Sequence, residues 1–428
     1  MKNIKNSKTQ WQETRLGDLI QVTHGMIFSS SLFSDVPTGS ILLTPANFKI
    51  GGGFDGSSLK YYNAEHEPAP QKYKLQPGEI VLALTDLSRE CSILGCPAKI
   101  PNREYYIAKP GHAHPVEYLQ NQRIGRVILR SEKITGDFLY WLLRSANYRK
   151  YIIATASGTT VKHTSPNRIY DFRFLLPPLV DQTAAVVLLN AVETKIHLLE
   201  HWNSVLEQMA MSLFRYWFTP TIQQRLKPLS DFGKIVCGRT PSKKESKYFG
   251  GPVPFVKIPD LRGQVYISRT VDSLSNEGAA AQPTKQIPPN SICVSCIATV
   301  GLTAITSAWC HTNQQINSII PHHYRHRYYL YCYLKTIGPE LESLSAGGTM
   351  TMNINTRLFS RLQIPEASHT LLEKFHQSVH PIFSRILLNI RCKEKLIKLR
   401  ESLLPMFLAG KIKITDGFKM LEKARGLF

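Results

Sequence analysis

Leu16-Gly17-Asp18-Leu19-Ile20, closing at Gly25, returns about 213 residues later as Leu229-Ser230-Asp231-Phe232-Gly233, closing at Gly238. Each copy is a Leu-x-Asp step, an alternating apolar stretch and a terminal glycine. Five further pairs follow in the same order. Ile41-Leu42-Leu43-Thr44-Pro45 parallels Phe255-Val256-Lys257-Ile258-Pro259, and Leu75-Gln76-Pro77-Gly78-Glu79-Ile80 parallels Ile287-Pro288-Pro289-Asn290-Ser291-Ile292. Asn121-Gln122-Arg123-Ile124 matches Asn313-Gln314-Gln315-Ile316, Ser157-Gly158-Thr159-Thr160 matches Gly347-Gly348-Thr349-Met350, and Leu176-Pro177 matches Ile364-Pro365. The offset drifts only from about 214 to about 188. One short match means little, but six in a single order mark a tandem duplication with diverged interiors.

Within each half, short alternating runs such as Glu79 to Leu84 and Ser291 to Ala298 lie between Gly, Pro, Asn and Ser, the pattern of strands and turns. A short helix is expected over Asp137 to Tyr148, with a counterpart around Tyr328 to Lys335. Each half then runs into a long helical pattern. From Asp181 to Trp217 apolar residues fall at Leu189, Val192, Ile196, Leu199, Leu206, Ala210, Leu213 and Trp217, broken by Asn203. From Thr370 to Phe407 they fall at Leu372, Phe375, Val379, Ile382, Ile386, Leu396, Leu399, Leu403 and Met406, with Asn389 near the centre. Spacing by three and four over many turns predicts a coiled-coil seam, and about 36 residues at 1.5 Å each make a rod of about 54 Å. Asn203 and Asn389 are expected to meet in that seam and set its register. Pro381 is expected to kink the second helix or delay its start, and Pro405 to disturb its end. The expected fold is α+β: two modules related by a pseudo-twofold axis and separated by a long two-helix antiparallel coiled coil. The boundaries are a first module at 1–178, a helix at 179–220, a second module at 221–366, and a helix with its tail at 367–428.

Composition bounds the chemistry. A chain of 428 residues, 43% hydrophobic and 10% aromatic, has enough apolar material for two cores. Its net charge of +21 calls for a polyanionic partner, and that charge is unevenly placed. Residues 1–178 carry +8, residues 229–366 carry +6, residues 179–228 are neutral, and the tail from 367 carries +7. No apolar run approaches the length of a membrane span, and Met1 to Gln10 lacks the apolar core of a signal peptide. Eight scattered cysteines suit a reducing cytoplasm better than a disulfide framework.

Catalytic signatures are missing from the sequence. There is no Asn/Asp-Pro-Pro-aromatic tetrapeptide, since Leu176-Pro177-Pro178-Leu179 offers no acceptor for an amino group, and no Gly-x-x-x-x-Gly-Lys-Ser/Thr loop. Gly51-Gly52-Gly53 reads as a turn. Cys293 and Cys296, followed by Cys310-His311, have zinc-like spacing. On a strand, however, they would face opposite sides, and their counterparts Val81 and Leu84 cannot bind metal, so structural thiols are expected. For contact with DNA the candidates are Thr159, Thr160, Lys162 and His163 in one glycine-containing loop, Thr349 in its counterpart, and Arg239, Lys243, Lys244 and Lys247 in a Gly/Pro-bounded stretch. Ordinary surface is the alternative for each of them. The basic-aromatic stretch Pro321-His322-His323-Tyr324-Arg325-His326-Arg327 is read either as a phosphate contact or as a solvated loop.

The whole pattern resembles the specificity subunits of type I restriction–modification enzymes. The carrying motifs are the two Leu-x-Asp…Gly segments and Gly238-Arg239-Thr240-Pro241-Ser242 with Tyr248-Phe249-Gly250-Gly251 and Pro254-Phe255 following. The helix start at Leu176-Pro177-Pro178-Leu179-Val180-Asp181-Gln182 and the close at Leu403-Leu404-Pro405-Met406-Phe407-Leu408-Ala409-Gly410-Lys411-Ile412 complete it. Two departures stand out. The first half has Gly25-Met26-Ile27-Phe28 where Gly-x-Thr-Pro-Ser would stand, and the second helix starts from Ile364-Pro365-Glu366-Ala367-Ser368, without the second proline or the glutamine. The resemblance implies two target-recognition domains, each reading one half of a split, asymmetric double-stranded DNA site. It implies helices that set the gap and dock two copies of a DNA methyltransferase subunit, with a motor–nuclease restriction subunit joining for cleavage. S-adenosylmethionine, ATP and magnesium would belong to those partners, and this chain would need no cofactor and catalyse nothing. The recognition subunit of a related enzyme that cuts on both sides of its site is the near alternative, and a nuclease in its own right the distant one.

Overall fold

A computed structural model describes residues 11–34, 38–63, 68–88, 90–102, 117–218, 225–346 and 354–408. The chain divides into two compact units, Met1–Glu193 with Lys398–Phe428, and Thr194–Ile397. Each long helix is therefore shared between units instead of standing apart from both.

Both units are built to one plan. In the first, a four-stranded antiparallel sheet has the order Ile20–His24, Ile124–Leu129, Ile80–Ala83, Pro97–Lys99. In the second, Gly233–Cys237, Ile316–Pro321, Ile292–Ser295 and Thr303–Thr306 repeat that order, with Tyr266–Ile267 added at the edge. A further sheet in each unit holds one parallel pair, Ser40–Leu43 with Glu117–Gln120 and Phe249–Val256 with His311–Thr312. A two-stranded ribbon leads into each long helix, Gln12–Arg15 with Arg173–Leu176 and Leu226–Pro228 with Gln363–Pro365.

The shared hydrogen bonds reach individual residues. Leu16 and Leu229 donate N–H to the carbonyls of Phe172 and Leu362, each at 2.8 Å. Gly78 and Asn290, both with positive φ, donate to Ile100 and Thr306. The register over Ser40–Leu43 differs by one from the reading above. Gln120 pairs with Leu43 where Thr312 pairs with Val256, so Leu42 corresponds to Phe255 and Thr44 to Lys257. Pro45 and Pro259 look equivalent in sequence, but the turn is held instead by Asn47 and Asp260, which accept N–H from Thr44 and Lys257.

Ile80–Ala83 is apolar throughout and its counterpart Ile292–Ser295 is apolar up to its terminal serine, because both faces of these strands are covered. Ile80 and Leu82 enter the core shared with the helices, while Val81 and Ala83 enter the core between the sheets. Ile292 and Val294 divide from Cys293 in the same way. The expected helix at 137–148 is two helices, Gly136–Leu143 and Ala146–Ala154, because the Ser145 hydroxyl accepts N–H from Tyr148 and starts a second one. Its counterpart is likewise His326–Thr336 followed by Gly338–Ala346.

The long helices are Leu179–Phe218 and His369–Leu408, 40 residues each, about 60 Å at the usual rise. The first, here the central helix, opens on Gln182, which is fully buried. Its side chain donates to the carbonyls of Lys133 and Pro177 and accepts from Thr135 N. The second, C-terminal helix has no such glutamine, and Ser368 caps it instead by accepting from Leu371 N. This helix runs unbroken from His369 through Pro381 and Pro405. The carbonyl partners those prolines leave free belong to Gln377 and Glu401, exposed positions where water can take the hydrogen bond. Leu372, Phe375, Val379 and Ile386 are buried in the second unit and Leu403 in the first. The second unit's seam passes through Phe214 and Phe383, with Leu213 and Ile382 only half-buried beside them.

The helices pack antiparallel in each unit. In the first, Leu188 and Leu189 share a core with Leu403, Leu404 and Phe407. There Glu193 accepts from Arg144 at 3.0 Å and from Arg400 at 2.5 Å. In the second, Phe214 and Phe218 lie 6.0 and 5.0 Å from Phe375, Lys393 bonds Glu200 at 3.3 Å, and the Asn389 amide donates to Asn203 at 2.9 Å. The two asparagines thus meet in the seam.

Candidate nucleic-acid interface

In the first unit, three segments leave the same end of the four-stranded sheet. His24 pairs with Gly125 and Ala83 with Ile124. The segments Gly25-Met26-Ile27, Leu84–Leu87 and the turn Asn121-Gln122-Arg123 therefore emerge side by side. The loop 157–163 joins them, because Lys162 and His163 pair with Asp86 and Thr85. Thr159 and Thr160 are exposed at its tip, as is His163, whose Nδ1 lies 3.2 Å from Thr85 Oγ1. Lys162 turns inward and donates to the Gly158 carbonyl at 2.8 Å. Gly158 has a φ of +94°, and a Cβ there would meet the Val161 carbonyl, so the tight loop needs glycine. Arg168 holds the loop from below by donating to Ser157 Oγ at 2.8 Å. Buried Asp86 accepts three backbone N–H groups, from Ser88, Ile93 and Leu94, which shape the next bend.

The second unit makes the same edge with other side chains. Gly238, Cys296 and Asn313 occupy the places of Gly25, Leu84 and Asn121. Gly25 N donates to Ile124 O and Gly238 N to Ile316 O; Leu84 N donates to Arg123 O and Cys296 N to Gln315 O. Asn121 and Asn313 each accept the N–H two residues ahead, at 3.0 and 3.1 Å. Both glycines are packed so tightly on these turns that a Cβ would come within 2.2 Å of a backbone oxygen. Arg239, Lys243, Lys244 and Lys247 are exposed. Arg239 is fixed beside the turn by its N–H bond to Thr312 O, and Thr240 Oγ1 donates to Gln314 Oε1 at 2.6 Å. Lys243, Lys244 and Lys247 lie farther along the same stretch, and Lys247 faces Glu277 at 3.8 Å. Thr349 lies outside the described residues, as do Gly347, Gly348 and Met350.

The turns at Asn121–Arg123 and Asn313–Gln315 were not among the candidate residues, although their matching Asn-Gln pair was visible. That pair marks the duplication, and an amide pair alone carries no chemical signature of a site. One other reading changes. The basic stretch from Pro321 is partly core: His326 is buried against Phe232, and Tyr324 donates to Glu373 at 2.7 Å. Leu189, Val192, Ile196, Leu199, Leu372, Phe375, Ile386, Leu396 and Leu403 are buried, and Leu206, Leu213 and Leu399 are half-buried.

Cys293 and Cys296 lie in separate core clusters, on opposite sides of their strand. Burial pushes their thiols up to about 12 and about 11, away from the thiolate that metal binding needs. Among the described residues no group of three or more His, Cys, Asp or Glu is arranged to hold a metal ion, and no helix is long and apolar enough to cross a membrane.

Residues 225–366 match the family model described as the type I restriction modification DNA specificity domain. The chain is 47% identical over 189 residues to the specificity subunit of the type I restriction enzyme HindI of Haemophilus influenzae, covering 44% of this chain and 41% of that protein. It is 21% identical over 326 residues to the MjaIX specificity subunit of Methanocaldococcus jannaschii, covering 68% and 72%. In fold it is similar to the crystal structure of a type I restriction–modification S subunit from M. genitalium, with a TM-score of 0.53, 12% identity, and coverage of 95% and 98%. Residues 225–366 thus carry the type I specificity domain, and the chain as a whole is similar to type I restriction–modification specificity subunits. Its match to the HindI subunit spans less than half of that protein's length.

Proposed function

We propose that this chain is the sequence-recognition subunit of a type I restriction–modification complex. Each unit reads one half of a bipartite, asymmetric site in double-stranded DNA, and the segments 179–220 and 367–428 act as spacer and docking surface. The observation that carries the reading is the edge made twice on one backbone plan, with cations and amides presented in both copies and with different side chains at matching places. The same scaffold with different contacts is what two unequal half-sites require. Thr159, Thr160, His163, Arg239, Lys243, Lys244 and Lys247 contact DNA directly, Thr349, the sequence counterpart of Thr159, does so as well, and Lys162 stiffens its own loop.

Two copies of a DNA methyltransferase subunit and one motor–nuclease restriction subunit supply the chemistry, adenine methylation or cleavage, with S-adenosylmethionine, ATP and magnesium. The chain itself is not catalytic. The buried seam residues, Leu189 to Leu213 and Leu372 to Leu403, make the spacer. A partner has the opposite face of the central helix available, where Val180, Val187, Leu198, Trp202, Met209 and Tyr216 are exposed. Their spacing by four, seven and eleven keeps them on one stripe.

The test is duplex binding by the full chain. With six to ten phosphates neutralised, affinity is expected to fall by about 10³ to 10⁵ between roughly 50 and 200 mM salt. Salt-insensitive binding, or magnesium-dependent cutting by the purified chain alone, would refute the reading.

A further inference from the structure

The duplicated edge separates what is shared from what has diverged. Shared are the glycine floor (Gly25, Gly238), the asparagine-closed turn (Asn121, Asn313) and the glutamine after it (Gln122, Gln314). The glycines and asparagines give the turn the same backbone in both units. The next position of the turn has diverged: it is Arg123 in the first unit and Gln315 in the second. Gln315 is tied down, accepting from the Asn313 side chain at 2.9 Å. Arg123 is exposed, and among the described residues its guanidinium has no hydrogen bond or ion pair. The other cations of this edge are engaged in holding the loop, Lys162 on Gly158 and Arg168 on Ser157. Beside the turn the positions after the glycine have diverged too. Met26 and Ile27 stand where the second unit has Arg239 and Thr240, and Ile27 is 75% exposed.

We propose that Arg123 is a specificity-determining residue, reading guanine in the half-site of the first unit through its O6 and N7. This deepens the DNA-recognition reading and rests on it. The Asn121 side chain holds the backbone on which Arg123 is mounted, and the strand partner Ala83–Ile124 holds its far side, so the guanidinium projects from a fixed base. A planar fork with no protein acceptor suits the two acceptors of guanine's major-groove edge. Exposed Ile27 supplies an apolar neighbour of the kind that packs on a thymine methyl. The second unit has Gln315 at this place, so this particular arginine contact belongs to the first unit's half-site.

The experiment selects from a randomised duplex library with the full chain, wild type against Arg123→Ala and Arg123→Gln, with thermal midpoints confirming that both variants fold. The expected result is a two-part motif for the wild type and loss of one guanine in one half for Arg123→Ala. Discrimination at that position should drop by about ten- to hundredfold with every other position intact. Arg123→Gln should move the preference there towards adenine or leave the position unread. An unchanged motif overturns the assignment. So does a uniform weakening with the salt slope reduced by about one, the signature of a phosphate contact. If the wild type itself selects no two-part sequence, the recognition reading fails with it, and the two failures are distinct.

Discussion

Gly238 and His376 show how single residues carry this structure. A methyl group on Gly238 would lie 2.2 Å from both the Asn313 carbonyl and Thr312 Oγ1. Gly238→Ala is expected to cost about 1–3 kcal/mol by overpacking, read as a lower urea midpoint, and Gly25→Ala should behave alike. His376 and His326 set the response to acid. Burial pushes both down to about 4. At His376 the neighbouring His380 and Arg327 add to the effect against a smaller pull from Glu373; at His326 the Phe232 carbonyl opposes burial, and His323, Arg325 and His369 add lesser pushes downward. The unfolded chain takes up these protons near 6.5, whereas the folded one resists until about 4. Stability should therefore be full above about pH 6.5 and fall as the pH drops from there towards 4. Urea midpoints at roughly pH 7.5 and pH 5 test this, and His376→Phe should flatten the difference. The glycine was legible in the sequence as a repeated stop. The histidine was not, because its effect depends on a helix start more than 40 residues away, where Tyr328 stacks on it at 5.0 Å.

At the scale of elements, the long helices are held by a few polar contacts set in an apolar seam. Arg144, Glu193 and Arg400 form one of these, with side chains 5%, 18% and 19% exposed. Burial alone would raise the Glu193 carboxyl, but the two guanidiniums outweigh it and hold the group below the usual carboxylate range. Glu193→Gln leaves two cations facing a neutral amide and should cost about 3 kcal/mol at neutral pH. The group's contribution is present above the unfolded carboxylate pKa and is lost as the pH falls through the depressed folded value, so wild type and variant should converge in strong acid. In the other unit, Asn203→Leu alone should cost about 1–3 kcal/mol by stranding the buried Asn389 amide. Asn203→Leu with Asn389→Leu should recover that loss and loosen the register. A double-mutant cycle on urea midpoints decides it, and equal costs for single and double variants would show that the pair does not act in the seam. The seam's existence and its two asparagines were read from apolar spacing. Phe214, Phe383 and Phe407 were missed because a three-four pattern admits neighbouring stripes, and only the packed aromatic layers select among them.

For the whole molecule, each core includes one end of each long helix, so the modules and the rods fold as common units. The exposed stripe from Val180 to Tyr216 makes no such contribution. Trp202→Ala with Tyr216→Ala should leave the unfolding free energy, read from urea titration, within about 0.5 kcal/mol of wild type while abolishing co-purification with a methyltransferase subunit. Retained co-purification would move the docking surface elsewhere. Duplication, an α+β plan and paired helices were determined by the sequence alone, because repeat order and hydrophobic period survive as local signals, whereas the asparagine contact was decided by how the helices pack. The tertiary structure alone decided which residues share one edge of the first unit's sheet. Gly25, Leu87, Arg123 and His163 are far apart in the chain, and the register of three antiparallel strands and one short ribbon brings them to the same end of a sheet. It also decided that Lys162 faces its own loop and Arg123 faces solvent, since no pattern in a sequence records where a cation's acceptor lies.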